Sequence, residues 1–429
     1  MKQKYLKLVS FFLIVVLVVV LVVNGCAQPA PAPAPAPAPK PAPAPAPAPA
    51  PKPAPAPKPA PTPTPAFEWP KSLIVSTPGK GASIYSASVI WGQLLEESTG
   101  TKVRVVPAES VPEQLRWLKD GVIDLWTGFT QTNVQWSIEG EKAYLTREPG
   151  PFQIRIAGVG SVGYIVFYAR EDSDIKTIDD LKPGFKYGLW TGSPGQIPYK
   201  NALFAAAGLT EDQVTIVPFG SVGAMMKGAM DGKCDVNILA VTSSMAQQVA
   251  AGPHGAHALD FKGKEKNVSN VEPSMAFGIC DEGPDFCRGV VTTTLVTPYF
   301  ANAATDPELM YQWIKWLFKN HDAYKDKHVA LKSIGVMDKL REVLNTSFIP
   351  VHEGTIRYLK EMGEWTATDE AKQNFLVDTI SRYEETRKAA LVEADEKKIK
   401  VDPANEEWKK LWESYKKERN LPHMTDYPK

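Results

Sequence analysis

The sequence predicts an α/β protein of two comparable lobes with a C-terminal helical extension. Three observations predict it. Strand-like and helix-like segments alternate from Leu73 onward, the alternation starts afresh near Val159, and each series carries a glycine-rich loop between a strand and a helix.

In the first series "SLIVST" reads as a strand and Ser83 to Thr99 as an amphipathic helix. "KVRVVP" is the next strand. "SVPEQLRWLKDG" is a helix with Ser110 as N-cap and Glu113 in position for a capping box. "VIDLWTGF" is a third strand. Repeated strand–helix–strand units imply a parallel sheet with helices on both faces. Ligands of such sheets sit beyond the carboxyl ends of the strands. The second series runs through "GYIVFYA", "KYGLW", "QVTIVPF" and "CDVNILAV", with helices at Pro198 to Ala207 and "SVGAMMKGAMDG" between the later strands. "VVTTTLVTPYF" then returns the chain to the first lobe. Two such lobes describe a clamshell with a cleft between them. The expected boundaries are 67–158 for the first part of lobe one, 159–287 for lobe two, 288–363 for the return, and 364–429 for the helical extension.

The loop "STPGKGAS" looks at first like a phosphate-binding loop. A Walker loop needs a glycine five residues before its Gly-Lys, followed by Ser or Thr. Here Gly79-Lys80 is followed by Gly81, so the nucleotide reading fails. The physics survives without it. Gly79 and Gly81 let backbone N–H groups approach a ligand, Ser83 is placed to cap the helix, and a helix N-terminus favours an anion. A plain tight turn is the other reading. "WTGSPGQ" (Trp190 to Gln196) repeats the device in the second series. "TGFTQTN" and "AVTSS" follow the third and last strands of their series and bring small polar side chains to the same end. The candidate ligand-binding residues are therefore Thr77, Gly79, Lys80, Gly81, Ser83 and Tyr85, facing Trp190, Thr191, Gly192, Ser193 and Gly195, with Gln131, Thr132, Asn133, Thr242 and Ser243 as further walls. Lys80 offers one charge-assisted hydrogen bond or simply faces solvent. Trp190 and Tyr85 would stack on an apolar part of the ligand.

No catalytic residue is expected. Ser243 and Thr130 have no nearby histidine or carboxylate in a nucleophile-elbow setting. His254 and His257 sit in a turn and read as surface. The net charge is zero and no basic stripe appears, so nucleic acid is not an implied partner. Of four cysteines, Cys234 reads as buried in an apolar strand. Cys280 and Cys287 bracket a turn-rich loop, and the sequence leaves open whether they form a disulfide. No metal site or cofactor is expected, because the cysteines lack histidines at ligand spacing.

The first residues set the address. Lys2, Lys4 and Lys7 precede an apolar run from Phe11 to Val23, shorter than the ~20 residues a spanning helix needs. "VNGC" resembles a bacterial lipobox with Cys26 as the lipidated residue. Residues 1–26 are expected to be a lipoprotein signal peptide with its lipidated cysteine; an uncleaved N-terminal anchor is the other reading. Either puts the body outside the cytoplasm, attached to the cell membrane. Residues 27–66 form a Pro/Ala-rich stalk. Every odd position from Pro29 to Pro65 is proline, which favours a polyproline II spacer on the order of 100 Å long.

The ordered set of motifs resembles the solute-binding subunits of tripartite ATP-independent periplasmic (TRAP) transporters, of the TAXI type. "TPGKGASIYS" stands where that family has a glycine-rich "GTGSTGGVYY"-like loop. "SVPEQLRWLKDGVIDL", "QTNV", "IVFYAREDSDIKTIDDLKPG", "TGSPGQ" and "IPVHEGTIRYL" follow in the family's order, from about Trp69 to Gly363. Pro78 and Lys80 replace small residues of the family, Asn133 replaces an aspartate, and Trp190 enters the second loop. The resemblance implies a type II periplasmic-binding-protein fold, a hinge-closing cleft, no enzymatic activity, and delivery of a small organic solute, a carboxylate or amino acid, to TRAP membrane subunits. A sensor module, an ABC-transporter receptor or an enzyme on the same fold are the alternatives. Residues 364–429 exceed the family pattern. Trp408, Leu411, Trp412 and Tyr415 make a helical stripe that is either a packed cap on a lobe or a partner-docking face.

Overall fold

The computed structural model describes residues 67–428 except Phe129. The signal segment, Cys26 and the stalk lie outside the described residues. The strands are β1 (Ser72–Thr77), β2 (Lys102–Pro107), β3 (Leu125–Thr127), β4 (Ile154–Ala169), β5 (Lys186–Trp190), β6 (Thr215–Phe219), β7 (Val236–Ala240), β8 (His257–Ala258), β9 (Phe277–Ile279) and β10 (Val291–Asn302). They form one sheet in the order β2-β1-β3-β10-β4-β7-β5-β6, with β8 on β4 and β9 on β10.

The expected parallel pairing holds within each series. β1 is parallel to β2 and β3, and β5 is parallel to β6 and β7. Between the two groups the sheet is antiparallel, because β4 leaves the first group and β10 comes back beside it without a crossover helix. β4 has 16 residues and β10 has 12, so both run through the middle of the sheet. Residue 159 falls inside β4. The β4–β10 ladder slips at Thr297/Pro298 and at Tyr299/Phe300. Pro298 has no N–H to give a central ladder, and a bulge is where a central strand tolerates it.

Helices Ser83–Thr99 and Pro307–Lys319 pack on the first group. Trp91, Tyr299 and Trp313 meet edge to face there, with ring centroids 5.4–5.9 Å apart. Trp91 Nε1 donates to the Tyr299 hydroxyl at 2.9 Å, so the polar atoms of these two rings are paired inside the core, while Trp313 Nε1 has no hydrogen-bond partner among the described residues. Among the described residues no helix is long and apolar enough to cross a membrane.

The extension packs on the body. Helix Ala367–Glu396 begins with a capping box of Thr366 and Asp369, and Arg341 pairs with Asp369 at 3.1 Å. Helix Glu406–Glu418 turns its stripe inward. Trp408 and Trp412 are fully buried, donating through Nε1 to the carbonyls of Leu145 and Glu139 at 3.0 Å each. The buried Arg387 guanidinium lies 4.7 Å from one of these rings and 4.9 Å from the other. It donates to the Thr146 carbonyl, and burial, with the nearby Arg147 charge, pushes its pKa down to about 10. The stripe is thus a packed cap. His257 also differs from its surface reading: it belongs to β8, and its side chain is 18% exposed, with Nδ1 3.2 Å from Glu171 Oε2.

Candidate ligand-binding cleft

The first glycine loop closes with Ala82 N–H donating to the Gly79 carbonyl at 2.9 Å. Ala82 is the N-cap of the helix that follows and makes no side-chain cap bond. Ser83 is therefore not the cap expected from sequence; it is the first helical residue, and its hydroxyl is left for other use. The buried Thr77 hydroxyl donates to the Pro78 carbonyl at 3.0 Å. Lys80 is exposed and Tyr85 half-buried.

The second loop meets the same neighbour. Val111 N–H donates to the Gly192 carbonyl at 2.9 Å. A Cβ on Gly192 would lie 1.8 Å from the Glu109 carbonyl oxygen, and one on Gly79 would lie 2.1 Å from Glu109 Oε1. Both loops thus close on one short segment, and only glycine lets them come so near. The Val222 N–H donates to Glu109 Oε2 at 3.4 Å. Burial raises the Glu109 pKa, and that hydrogen bond lowers it by less.

Asn133 ties the series together. Its Oδ1 accepts from Gly195 N–H at 2.8 Å and from the Tyr144 hydroxyl at 2.9 Å, and its Nδ2 donates to Ser193 Oγ at 3.3 Å. Gln131 accepts from the Ser347 hydroxyl at 2.6 Å, and the Thr132 N–H donates to Thr130 Oγ1 at 2.9 Å. Thr191 is exposed and donates to the Phe219 carbonyl at 3.1 Å. Trp190 and Thr242 are buried. Ser243 caps helix Ser244–Ala250, accepting from Ala246 N–H at 3.1 Å, and Ser244 donates to the Gly81 carbonyl at 3.3 Å. Asn133→Ala leaves the buried Gly195 N–H and Tyr144 hydroxyl without their acceptor. It is expected to cost about 3 kcal/mol, read as a lowered denaturation midpoint with an unchanged slope.

Between the series lies a cavity of about 50 Å³. The first series lines it with Pro78, Ala82, Ser83, Ile84 and Gly128. The second contributes Gln196, Val222, Met225, Met226, Ile238, Leu239, Ala240, Ser243 and Met245. The middle strands add Ser161, Leu295 and Thr297. Of the residues expected from sequence, Ser83 and Ser243 line it directly. The others cap, bridge or flank the loops around it. Sequence reasoning missed the methionines and the middle-strand hydroxyls. "GAMMKGAM" reads as an ordinary core helix, and a strand buried on both faces gives no alternation to say which face meets a cleft.

Among the described residues no ionisable side chain lines this cavity. Ser83, Ser161 and Thr297 are 5%, 3% and 4% exposed. Their hydroxyls have no hydrogen-bond partner among the described residues, and Ser161 and Thr297 are cross-strand neighbours. Cys280 and Cys287 lie elsewhere, as separate buried thiols; Cys280 Sγ donates to the Glu282 carbonyl at 3.4 Å.

These features define an α/β protein with an uncharged cavity between two sheet groups. The chain belongs to the NMT1-like family, whose model matches residues 75–363. No curated protein matches it by sequence. Among solved structures it is similar to the alkanesulfonate-binding protein SsuA from Xanthomonas axonopodis pv. citri, at 14% identity over 72% of this chain and 84% of that one, TM-score 0.39. The periplasmic aliphatic sulphonate binding protein SsuA from Escherichia coli shares 17% identity over 72% and 86%, TM-score 0.38. A chain from the glutathione-import system of Streptococcus mutans shares 13% over 61% and 95%, TM-score 0.40. These likenesses are loose.

Proposed function

We propose that this chain is a lipid-anchored, extracytoplasmic receptor that captures a small organic solute bearing a carboxylate and delivers it to the membrane subunits of a TRAP-type transporter. The observation that carries the reading is the cavity itself. It is enclosed from both series at once, so a solute there touches both groups of strands only when they are closed on each other. Such a ligand favours closure by its differential affinity for the closed state. The carboxylate reading is supported by the first turn of helix Ser83–Thr99, which lacks a side-chain cap and opens on the cavity. Lys80 takes no part in it. Among the described residues no cavity-lining hydroxyl bonds a histidine or carboxylate, which supports binding without chemistry.

The transporter type rests on the sequence motifs of the second series and of residues 349–359. An ABC-transporter receptor or a sensor module differs only in its partner. Affinity capture of the anchored protein with its membrane subunits tests this, and recovery of an ATP-hydrolysing complex would count against the TRAP reading. Thermal-shift screening of the purified chain against organic acids, amino acids and neutral amides tests solute class. A ligand at a hundred times its Kd adds about 2.7 kcal/mol of stability. Shifts with amides alone would overturn the carboxylate.

Closure should also depend on pH. The closed state raises the Glu109 pKa above its ordinary 4.5 through burial, so the closed form holds the proton more tightly than an open one. Closure is then favoured below the ordinary value and weakens as pH rises through the raised one. X-ray scattering of the unliganded protein should show a larger radius at neutral pH than near pH 4, and Glu109→Gln should remove the difference.

A further inference from the structure

Away from the cleft, the last turn of helix Gln131–Glu139 meets the C-terminal tail at a group of metal-ligating side chains. Gly140 ends the helix in the left-handed conformation, with φ 63°, and the chain turns so that Glu141 stands beside Glu139. His423 arrives from the other end of the chain. A small turn fixes its backbone: His423 N–H donates to Asp426 Oδ2 at 2.9 Å, and Asp426 N–H donates to the His423 carbonyl at 3.0 Å. One ligand atom from each of Glu139, Glu141 and His423 lies within 4.8 Å of the other two, and His423 Nδ1 is 3.5 Å from Glu139 Oε2. That separation is longer than a charge-assisted hydrogen bond. It matches the edge of a coordination tetrahedron, which is roughly 3.4 Å for bonds of about 2.1 Å.

The charges point the same way. Glu139 is 1% exposed, and among the described residues no lysine or arginine lies within ion-pair distance of it; its one ion-pair partner, His423, is charged only if protonated. Glu139 Oε1 accepts from Met424 N–H at 2.8 Å, and Gln135 Nε2 donates to its two oxygens at 3.3 and 3.4 Å. Burial raises the Glu139 pKa, the Met424 hydrogen bond lowers it by less, and the Glu141 charge raises it further. A buried carboxylate beside a second carboxylate calls for a proton or a cation. Lys416 lies 3.4 Å from Glu141, but it also holds Glu413 at 2.7 Å, so it keeps a partner when another cation takes its place.

We infer that Glu139, Glu141 and His423 bind a zinc-type divalent ion, with water as the fourth ligand, and that the ion clasps the C-terminal tail to the helix that carries Asn133. The imidazole selects the metal: nitrogen suits zinc and its transition-metal neighbours, whereas calcium and magnesium take oxygen ligands. The expectation of no metal site rested on cysteine and histidine spacing. These ligands come from distant parts of the chain, which spacing does not reveal. The site is independent of the receptor reading above.

The test is calorimetric titration of the full-length chain, purified without a histidine tag, in nanodiscs of neutral lipid, with empty nanodiscs as control. The probes are Zn²⁺, Ca²⁺ and Mg²⁺. The expected result is one zinc per chain, bound at least tenfold more tightly than calcium or magnesium, and a Tm raised by about 5 °C at a hundredfold excess over Kd. The side chain of His423 is 63% exposed, so His423→Ala should fold normally and weaken zinc at least tenfold. Glu141→Gln should do the same, and His254→Ala should change nothing. Zinc should slow hydrogen exchange at the Met424 amide in the parent protein and not in His423→Ala. No saturable zinc binding, or zinc binding that His423→Ala leaves untouched, overturns the site. Equal binding of calcium or magnesium overturns the choice of metal. Zinc binding with no slowing at Met424 overturns the clasp.

Discussion

Replacing Gly192 with alanine is expected to keep the cleft from closing and to weaken solute binding roughly a hundredfold, about 2.7 kcal/mol. The new methyl would lie 1.8 Å from the Glu109 carbonyl oxygen. That oxygen belongs to the backbone and cannot swing aside as a side-chain end does. The Val111 N–H bond to the Gly192 carbonyl would be pushed apart with it. The change lies at a loop and leaves the hydrophobic core that spans both sheet groups in place, so the variant should still fold, with a slightly larger radius by scattering. Gly220→Ala is the control, since a Cβ there meets nothing within 4 Å. Equal affinities in the two variants would show that the Gly192–Glu109 approach plays no part in binding.

Trp412→Ala should be the most destabilising single change in the extension. The ring is fully buried, and large-to-small replacements of this kind cost about 3–5 kcal/mol. Two further losses follow here. The Glu139 carbonyl loses its donor, and Arg387 loses one of the two rings that shelter its charge. Nε and Nη1 of Arg387 have no other partner among the described residues. A fall in Tm of about 5–10 °C is expected for a chain this long, and Trp412→Phe should recover part of it. A drop of under 1 °C would mean that the helix Glu406–Glu418 does not fold with the body.

The repeating strand and helix pattern made both parallel groups readable from the sequence. The periods of SLIVST and of Ser83 to Thr99 are local properties, and local properties survive folding. The return of VVTTTLVTPYF to the first lobe was readable too, and β10 pairs with β3 there; what could not be read is that β4 and β10 pair with each other through the middle of the sheet. Their antiparallel pairing joins residues more than a hundred positions apart, and nothing in GYIVFYA or VVTTTLVTPYF names its partner. The candidate site divides the same way. Glycine at 79, 81, 192 and 195 signals close approach, and the close approaches are there. Their neighbours are Glu109, Met245 and Asn133, protein atoms whose positions only the three-dimensional arrangement supplies. Ser83 illustrates the limit. Serine before a helical run reads as a cap, yet the helix starts one residue earlier, and the hydroxyl faces the cavity instead.

Helix Gln131–Glu139 is held at both ends. Near its start Asn133 holds the second glycine loop, and at its finish Trp412 and the Met424 N–H, 2.8 Å from Glu139 Oε1, grip the last turn. The tail is therefore wired to the mouth of the cleft by a rod of nine residues. A dye attached to the exposed Lys417 would sense occupancy without touching the solute, which makes the C-terminus the natural place for an optical reporter. Trimming the chain before residue 406 to simplify its handling would remove Trp412 and Met424, and with them both grips on that last turn.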